Sequence, residues 1–403
     1  ALIKRARDLS KQGSSALPQL AELLGDANVP VRVEAVRAIA DIGTVRSLDP
    51  LVRAAADTDP EVQIRAADGL VNFYLPGYLK TGFSAKLKRI GTSVQGKFTD
   101  TNNQLIPAYV TPRADVISAL ARQLSSNSAS EVKNNAARAL GILRGRAALP
   151  ELTRALRVKQ DSGLIYESLV ALRKIGDPTA APQLAFLIRD LDDRVAIAAI
   201  ETTGILQNRA AAEDLRRLLD RDRSTKVKRA ALDSLAMMAD ESNRPTFERF
   251  FADKDEGLRA AAAEGLGKLG KPTDVPALEK AFADERKMSP RLSQAYALVL
   301  LGKRDLGEFS PLRYLVNGLN SKMYRGIAQP LLIVLARQPD VLETLNNSFN
   351  QWNKEERTGL AGVLAESGDT KSAALLEGMT KDPDPEAAQE AMRAFRSLKA
   401  RLR

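Results

Sequence analysis

The sequence predicts an all-α fold of the α-solenoid class: a right-handed superhelix of about 10–11 stacked helical hairpins, each about 32 residues long. Three observations point there. Apolar residues that open helical stripes recur at a near-constant interval. Proline and glycine punctuate the stripes where short helices begin and end. The chain is 44% hydrophobic but only 5% aromatic, so Ala and Leu supply the core, which suits closely packed helices.

Taken in order, "DANVPVRVEAVRAIADIG" covers 26–43, "DRSTKVKRAALDSLAMMA" covers 222–239 and "DKDEGLRAAAAEGLGKLG" covers 253–270. Each opens on Asp, runs through a short polar stretch, reaches an apolar residue followed by a basic one, and continues as an Ala-rich helix. The opening apolar markers are Val31, Val62, Val132, Leu164, Val195, Val227, Leu258 and Leu292. Their separations are 31, 70, 32, 31, 32, 31 and 34 residues, so one interval holds two periods and about six extra residues. Leu258, Ala261, Ala262, Leu266 and Leu269 form one helical face. Gly43, Gly176, Gly270 and Gly302 follow such faces, where a left-handed residue closes a helix. The first helix of a hairpin is announced by proline at Pro150, Pro182 and Pro276, since proline in the first turn sacrifices no hydrogen bond. A single hairpin cannot bury its apolar face, so neighbours must stack, and the expectation is one array over 1–403.

The pattern D-x5-[RK] with an Ala-rich second helix, together with G-[DK]-P and A-x-P, resembles HEAT repeats, above all the short bacterial HEAT-like repeat first associated with phycobilisome lyases. The resemblance covers 13–75 and 113–403. It thins after Pro311, where "YLVNGLNSKMYRGIAQPLLIVLARQ" keeps the periodicity and loses the Asp and the basic marker. It implies a fold and says almost nothing of activity. It also implies that Asp26 with Arg32, Asp222 with Lys228 and Asp253 with Arg259, each six apart, form a structural ladder between adjacent repeats; lining a ligand groove is the alternative role.

The chain contains neither cysteine nor histidine. Disulfides, thiol nucleophiles and thiolate metal sites are therefore excluded, along with the commonest general base and metal ligand. A deoxyhypusine-hydroxylase activity, which the resemblance brings to mind, needs His-Glu iron motifs and fails on the same ground. Bilin lyases share the repeat type without catalytic residues that can be placed here, and the alkylpurine class of DNA glycosylases would need a Trp-, Asp- and Arg-lined basic face. Trp352, the single Trp, sits among charges and reads as a packing residue. "EGLGKLGK" at 264–271 lacks a preceding strand and Walker spacing, so it reads as repeat helix. Asp192, Asp193, Glu355 and Glu356 read as helix-start residues. The sequence implies no cofactor and no metal. It has no apolar run near the roughly 20 residues of a membrane span. The missing initiator Met and missing Cys favour an extracytoplasmic location over a cytoplasmic one.

The net charge of +10 admits an acidic partner. "DLRRLLDRDRSTKVKRAALD" at 214–233 interleaves Asp with its Arg and Lys, which dilutes its field, and "RAFRSLKARLR" at 393–403 suits a polar capping helix. The rhythm breaks at 72–113. There Phe73, Tyr74, Tyr78, Phe83, Phe98 and Tyr109 are six of the chain's 11 Phe, 7 Tyr and 1 Trp, beside Lys80, Lys86, Lys88, Arg89, Lys97 and Arg113. A short amphipathic helix is expected over 83–94, a turn cluster over 99–104 and an extended "QLIPAYVTP" after it. The stretch 76–112 is either a flap or a degenerate repeat. As a flap, its Tyr74, Tyr78, Lys80, Phe83, Lys86, Lys88, Arg89, Lys97, Phe98 and Tyr109 would contact a protein partner with acidic or extended segments. The functional expectation is a non-catalytic scaffold. The alternatives are a basic nucleic-acid-binding protein, with or without base-excision chemistry, a purely structural subunit of a larger assembly, and an enzyme that relies on Asp or Glu alone.

Overall fold

The computed structural model describes residues 1–81, 104–126, 128–158, 160–221 and 223–402, with side chains in helix 78–81 described up to Leu79. Among them every regular element is helical, in an α-solenoid arrangement of stacked hairpins, and none is long and apolar enough to cross a membrane. They fall into two compact units, Ala1–Asn208 and Arg209–Arg403. The first contains α1 (Leu2–Ser10), α2 (Leu17–Leu23), α3 (Val29–Ile42), α4 (Leu48–Ala54), α5 (Pro60–Tyr74) and α6 (Tyr78–Thr81). After the undescribed segment come α7 (Ala114–Ser125), α8 (Ser130–Ile142), α9 (Leu149–Ala155), α10 (Ser162–Ile175), α11 (Ala181–Leu184) and α12 (Asp193–Ile205). The second unit contains α13 (Ala212–Asp220), α14 (Thr225–Met237), α15 (Arg244–Phe250), α16 (Glu256–Leu269), α17 (Val275–Asp284) and α18 (Met288–Leu300). It continues with α19 (Pro311–Asn317), α20 (Arg325–Leu335), α21 (Pro339–Ser348), α22 (Lys354–Ser367), α23 (Thr370–Met379) and α24 (Pro385–Arg401).

In the first unit the long helices α3, α5, α8, α10 and α12 pack side by side in chain order, and in the second α14, α16, α18, α20, α22 and α24 do the same. Shorter helices such as α2, α4, α7 and α9, or α13, α15 and α17, cover the opposite flank of their long partners. The apolar markers lie in the seam between the two layers: Val31, Val62, Val132, Leu164, Val227 and Leu292 are all at most 3% exposed. Small residues let the long helices approach. A Cβ on Gly141 would stand 2.8 Å from the Ala171 Cα, and one on Gly267 2.6 Å from the Ala297 Cα. Both distances are shorter than an alanine could tolerate without moving the neighbouring backbone.

Local chemistry sets the ends of each helix. Asp59, Asp255 and Asp384 cap α5, α16 and α24 by accepting from the second and third backbone N–H groups, orphaned at every helix start. At the C-terminal ends Gly43, Gly176 and Gly270 close α3, α10 and α16 with φ of 58°, 70° and 71°. Arg144 and Gln207 are left-handed too, two residues past the ends of α8 and α12, although neither is a glycine. Asp192 caps α12, Glu355 and Glu356 lie in the first turn of α22, and Trp352 is buried under the Arg313 guanidinium at 4.4 Å. The helix expected over 83–94 and nearly all of the turn cluster over 99–104 lie outside the described residues. Residues 104–113 form no regular element and turn once, with the Val110 N–H donating to the Pro107 carbonyl.

Candidate partner-binding site

Of the ten side chains expected to meet a partner, Phe83, Lys86, Lys88, Arg89, Lys97 and Phe98 lie outside the described residues, as does the side chain of Lys80. The other three occupy different environments. Tyr109 is 49% exposed. Tyr74 is half-buried: its ring meets Phe73 edge-on at 4.9 Å and its hydroxyl accepts from the Arg113 N–H at 2.9 Å. Tyr78 is only 1% exposed and belongs to the core, which withdraws it from any contact surface. The reason is local: α6 is tied to the end of α5 by the Leu79 N–H donating to the Asn72 carboxamide at 3.1 Å, and this turns Tyr78 inward. On the far side of the interruption Ile106 is equally buried, and its N–H donates to the Ile142 carbonyl at 3.0 Å. Both described ends of 72–113 are therefore anchored into α5 and α8.

Tyr78 lands on a buried polar cluster carried by α5, α8 and α10. Its hydroxyl hydrogen-bonds with the Asp68 carboxylate, and burial followed by that negative charge pushes its pKa up. Asn135 donates to Asp68 at 3.2 Å, and Arg138 pairs with Glu167 at 2.6 Å. Asp68, Asn135, Arg138 and Glu167 are each at most 8% exposed. Burial opposes the charge on Arg138, and Glu167 more than compensates. Lys174, two turns further along α10, has its pKa pushed down to about 8 by burial, with Glu167 opposing that shift. Charges taken out of water must be paired to be tolerable, and these are. The sequence reading missed them, although the signal is in the register. Asp68 and Arg138 each follow an apolar marker by six residues and Asn135 and Glu167 by three, so polar groups recur at fixed places on consecutive long helices.

The Asp–basic spacing has a geometric meaning. Arg32 holds Asp57 with two bonds of 2.8 and 2.9 Å, and its Nη1 donates at 2.9 Å to the main-chain carbonyl of Asp26. In the second unit Arg259 grips Glu285 at 2.8 and 3.1 Å and donates at 2.8 Å to the Asp253 carbonyl. Six residues is the distance at which one guanidinium reaches its own turn's carbonyl and the acid of the next turn. The Asp26 and Asp253 carboxylates are used locally, accepting from the N–H of Asn28 and Asp255 at 2.8 Å each. Asp222 lies outside the described residues. Next to Lys228, Arg229 makes the bridge, to Asp255 at 2.6 and 2.7 Å. Fork-shaped pairing of this kind fixes angle as well as distance. Among the described residues, no group of three or more Asp or Glu is arranged to hold a metal ion.

A family model for HEAT repeats matches residues 5–80, 164–236 and 212–298, and one for the PBS lyase HEAT-like repeat matches 132–157. A comparison with curated proteins finds no match. Among solved structures the chain is similar to the complex of CpcE and CpcF of phycocyanin lyase from Nostoc, at 19% identity and a TM-score of 0.38, over 66% of this chain and 92% of that one. It is similar to an engineered protein at 19% identity and a TM-score of 0.39, over 95% and 98%. Human deoxyhypusine hydroxylase is matched at 17% identity and a TM-score of 0.29, over 71% and 96%.

Proposed function

The chain belongs to the HEAT-repeat family, and from that premise we propose that it is a non-catalytic protein-binding scaffold in which 72–113 contributes to partner contact. The observation that carries this reading is how the buried polar groups are used. Asp68, Asn135, Arg138 and Glu167 join one long helix to the next, and Arg32 and Arg259 join one turn to the next. These polar groups hold neighbouring hairpins in register. The rhythm of the sequence breaks at 72–113, a stretch rich in aromatic and basic side chains. Such a composition suits contact with an extended or acidic segment of another protein.

The test is affinity purification of the intact protein with mass spectrometry of what accompanies it, run with and without nuclease. A stoichiometric protein partner that survives nuclease supports the scaffold. Co-purifying nucleic acid that vanishes with nuclease, and whose affinity falls steeply with salt, would make the +10 charge the functional feature instead.

A further inference from the structure

In the second unit the ladder between turns loses two rungs. Arg229 of α14 holds Asp255 in the turn before α16, and Arg259 of α16 holds Glu285 in the turn before α18. Further along, Lys354 and Arg357 of α22 hold Asp384 and Asp382 in the turn before α24, at 2.6 and 3.3 Å. Between these rungs stand Arg291 of α18 and Arg325 of α20, and neither pairs with an acid among the described residues. Arg325 keeps the half of the pattern that faces its own turn: its Nε donates at 2.9 Å to the carbonyl of Leu319, six residues back, as Arg259 donates to that of Asp253. The position that carries Asp253 in that turn carries Leu319 in this one, and Leu319 is 0% exposed and packed into the core. The turn before α22, 349–353, has no acid either. Arg291 is held by rings instead: its guanidinium stands 5.0 Å from the centre of Phe282 and 4.7 Å from that of Tyr314.

The charge left over is not neutralised from elsewhere. Between 286 and 339 the acids of the chain are Asp305 and Glu308, and both lie in the connection that follows the far end of α18. Glu285 is gripped by Arg259, and Glu356 by Arg313 and Asn320 at 3.3 and 3.0 Å. The turn ends of α18 and α20 therefore carry Arg286, Lys287, Arg291, Lys322 and Arg325 with no acid partner among the described residues. Tyr314 ties the two turns together: its hydroxyl donates to the Met288 Sδ at 2.8 Å, and α19, which carries it, leads into the turn of Lys322. Arg286, Lys287 and Lys322 are exposed, and Met323 projects beside them at 76% exposure. The rings fix Arg291 in advance, so it loses less freedom when it meets an anion.

We propose that this edge, 286–291 together with 322–325, docks an extended acidic segment of a partner protein, whose carboxylates supply the two missing rungs. The ladder itself names the chemistry: where the chain closes a rung, it sets an Asp or Glu carboxylate against a cation of the preceding turn. Neighbouring long helices stand about 8–10 Å apart. Three residues of a polyproline-II segment advance about 9 Å and return to the same side. Acids three apart therefore meet Arg291 and Arg325 in turn, and an apolar residue between them lies on Met323. The rings of Phe282 and Tyr314 are engaged with each other edge-on at 5.3 Å and with Arg291, so they offer no stacking face to a base, which favours a protein over a nucleic acid. The proposal rests on the scaffold reading above and adds a contact surface in the second unit.

The test is fluorescence anisotropy on the full chain, with a labelled proline-rich peptide that carries glutamate at every third position and with its glutamine counterpart. The glutamate peptide is expected to bind saturably, and the glutamine peptide at least about tenfold more weakly. Arg291→Met and Arg325→Met, which keep an apolar stem in place, are each expected to weaken the glutamate peptide about threefold or more. Lys322→Glu, an exposed change in the same turn, is expected to abolish binding without lowering the thermal midpoint. Arg396→Gln, which removes an exposed charge from α24, is expected to leave binding unchanged. Equal binding of the two peptides, no binding of either, or the same loss in Arg396→Gln as in Arg291→Met would overturn the proposal. So would a single-stranded oligonucleotide of matched length that binds more tightly and displaces the glutamate peptide. A chain that ignores the glutamate peptide yet retains a protein partner in the affinity experiment loses this surface and keeps the scaffold.

Discussion

The groove between α4 and α7 and the groove between α15 and α17 have the same lining pattern, Ala119, Arg122, Gln123 and Ser126 in one and Ala277, Lys280, Ala281 and Asp284 in the other, and opposite contents. In the first a glutamine occupies the space and binds two main-chain carbonyls. In the second alanine stands in the same place and a phenylalanine ring forms the wall. The turn ladder differs too. Gln63 reaches only its own turn, donating to the Asp57 carbonyl at 2.6 Å, whereas Arg259 reaches across to Glu285. A repeat protein thus keeps its backbone period and writes specificity in single side chains at equivalent positions. Whether a groove is closed or open is decided at residue 123 or 281, while the helices that carry it are built alike.

That claim is most exposed at the seam behind each groove. If the long-helix stack is the shared constant, Gly141→Ala and Gly267→Ala must be costly in the same way, because each added methyl meets a backbone Cα at 2.8 or 2.6 Å. The expected loss is about 3 kcal/mol for each, at the upper end of overpacking costs, measured by urea denaturation. A tolerated Gly267→Ala beside a damaging Gly141→Ala would show that the second unit packs more loosely, and that its groove is open for that reason rather than because residue 281 is small.

Next in size is the plug itself. Gln123→Leu keeps volume in the first groove and removes both donated hydrogen bonds. The expected cost is about 2 kcal/mol, since the carbonyls of Ala55 and Gln63 each lose a donor. Hydrogen exchange should rise locally in α4 and α7. An unchanged stability would mean that apolar filling alone holds the groove.

How much of this could be read from the chain alone follows from what repeats. The marker valines and leucines, the Ala-rich second helices, the capping glycines and the opening prolines recur because every hairpin solves the same packing problem, so period and helix type were legible. The left-handed Arg144 and Gln207 were not, since no glycine marks them. The buried Asp68, Asn135, Arg138 and Glu167 were legible only as a register across three helices, and no single one of them stands out. Tyr78 misled because an aromatic in an irregular basic stretch resembles a contact residue until the Asn72–Leu79 bond turns it inward. The open groove was invisible for a simpler reason: an alanine in a helix says nothing of the space beside it.

The smallest expected effect separates the two grooves by acid. Glu285 sits in the wall of the second. Burial alone would raise its pKa, but the Arg259 guanidinium and backbone N–H groups outweigh burial and hold it below the ordinary glutamate value. A carboxylate whose folded pKa is depressed stabilises the fold fully above its unfolded value, near 4.3, and loses that contribution as pH falls through the folded value. Glu285→Gln should therefore cost about 1 kcal/mol at about pH 6 and progressively less below about pH 4. At the first groove the residue in the Arg259 position is the neutral Gln63, which donates to the Asp57 carbonyl, so the cost of Gln63→Met should be the same at both ends of that range. Parallel pH profiles for the two substitutions would mean that the Arg259–Glu285 bridge contributes nothing beyond its packing. The two turn positions would then be energetically interchangeable, despite one reaching the next turn and the other only its own.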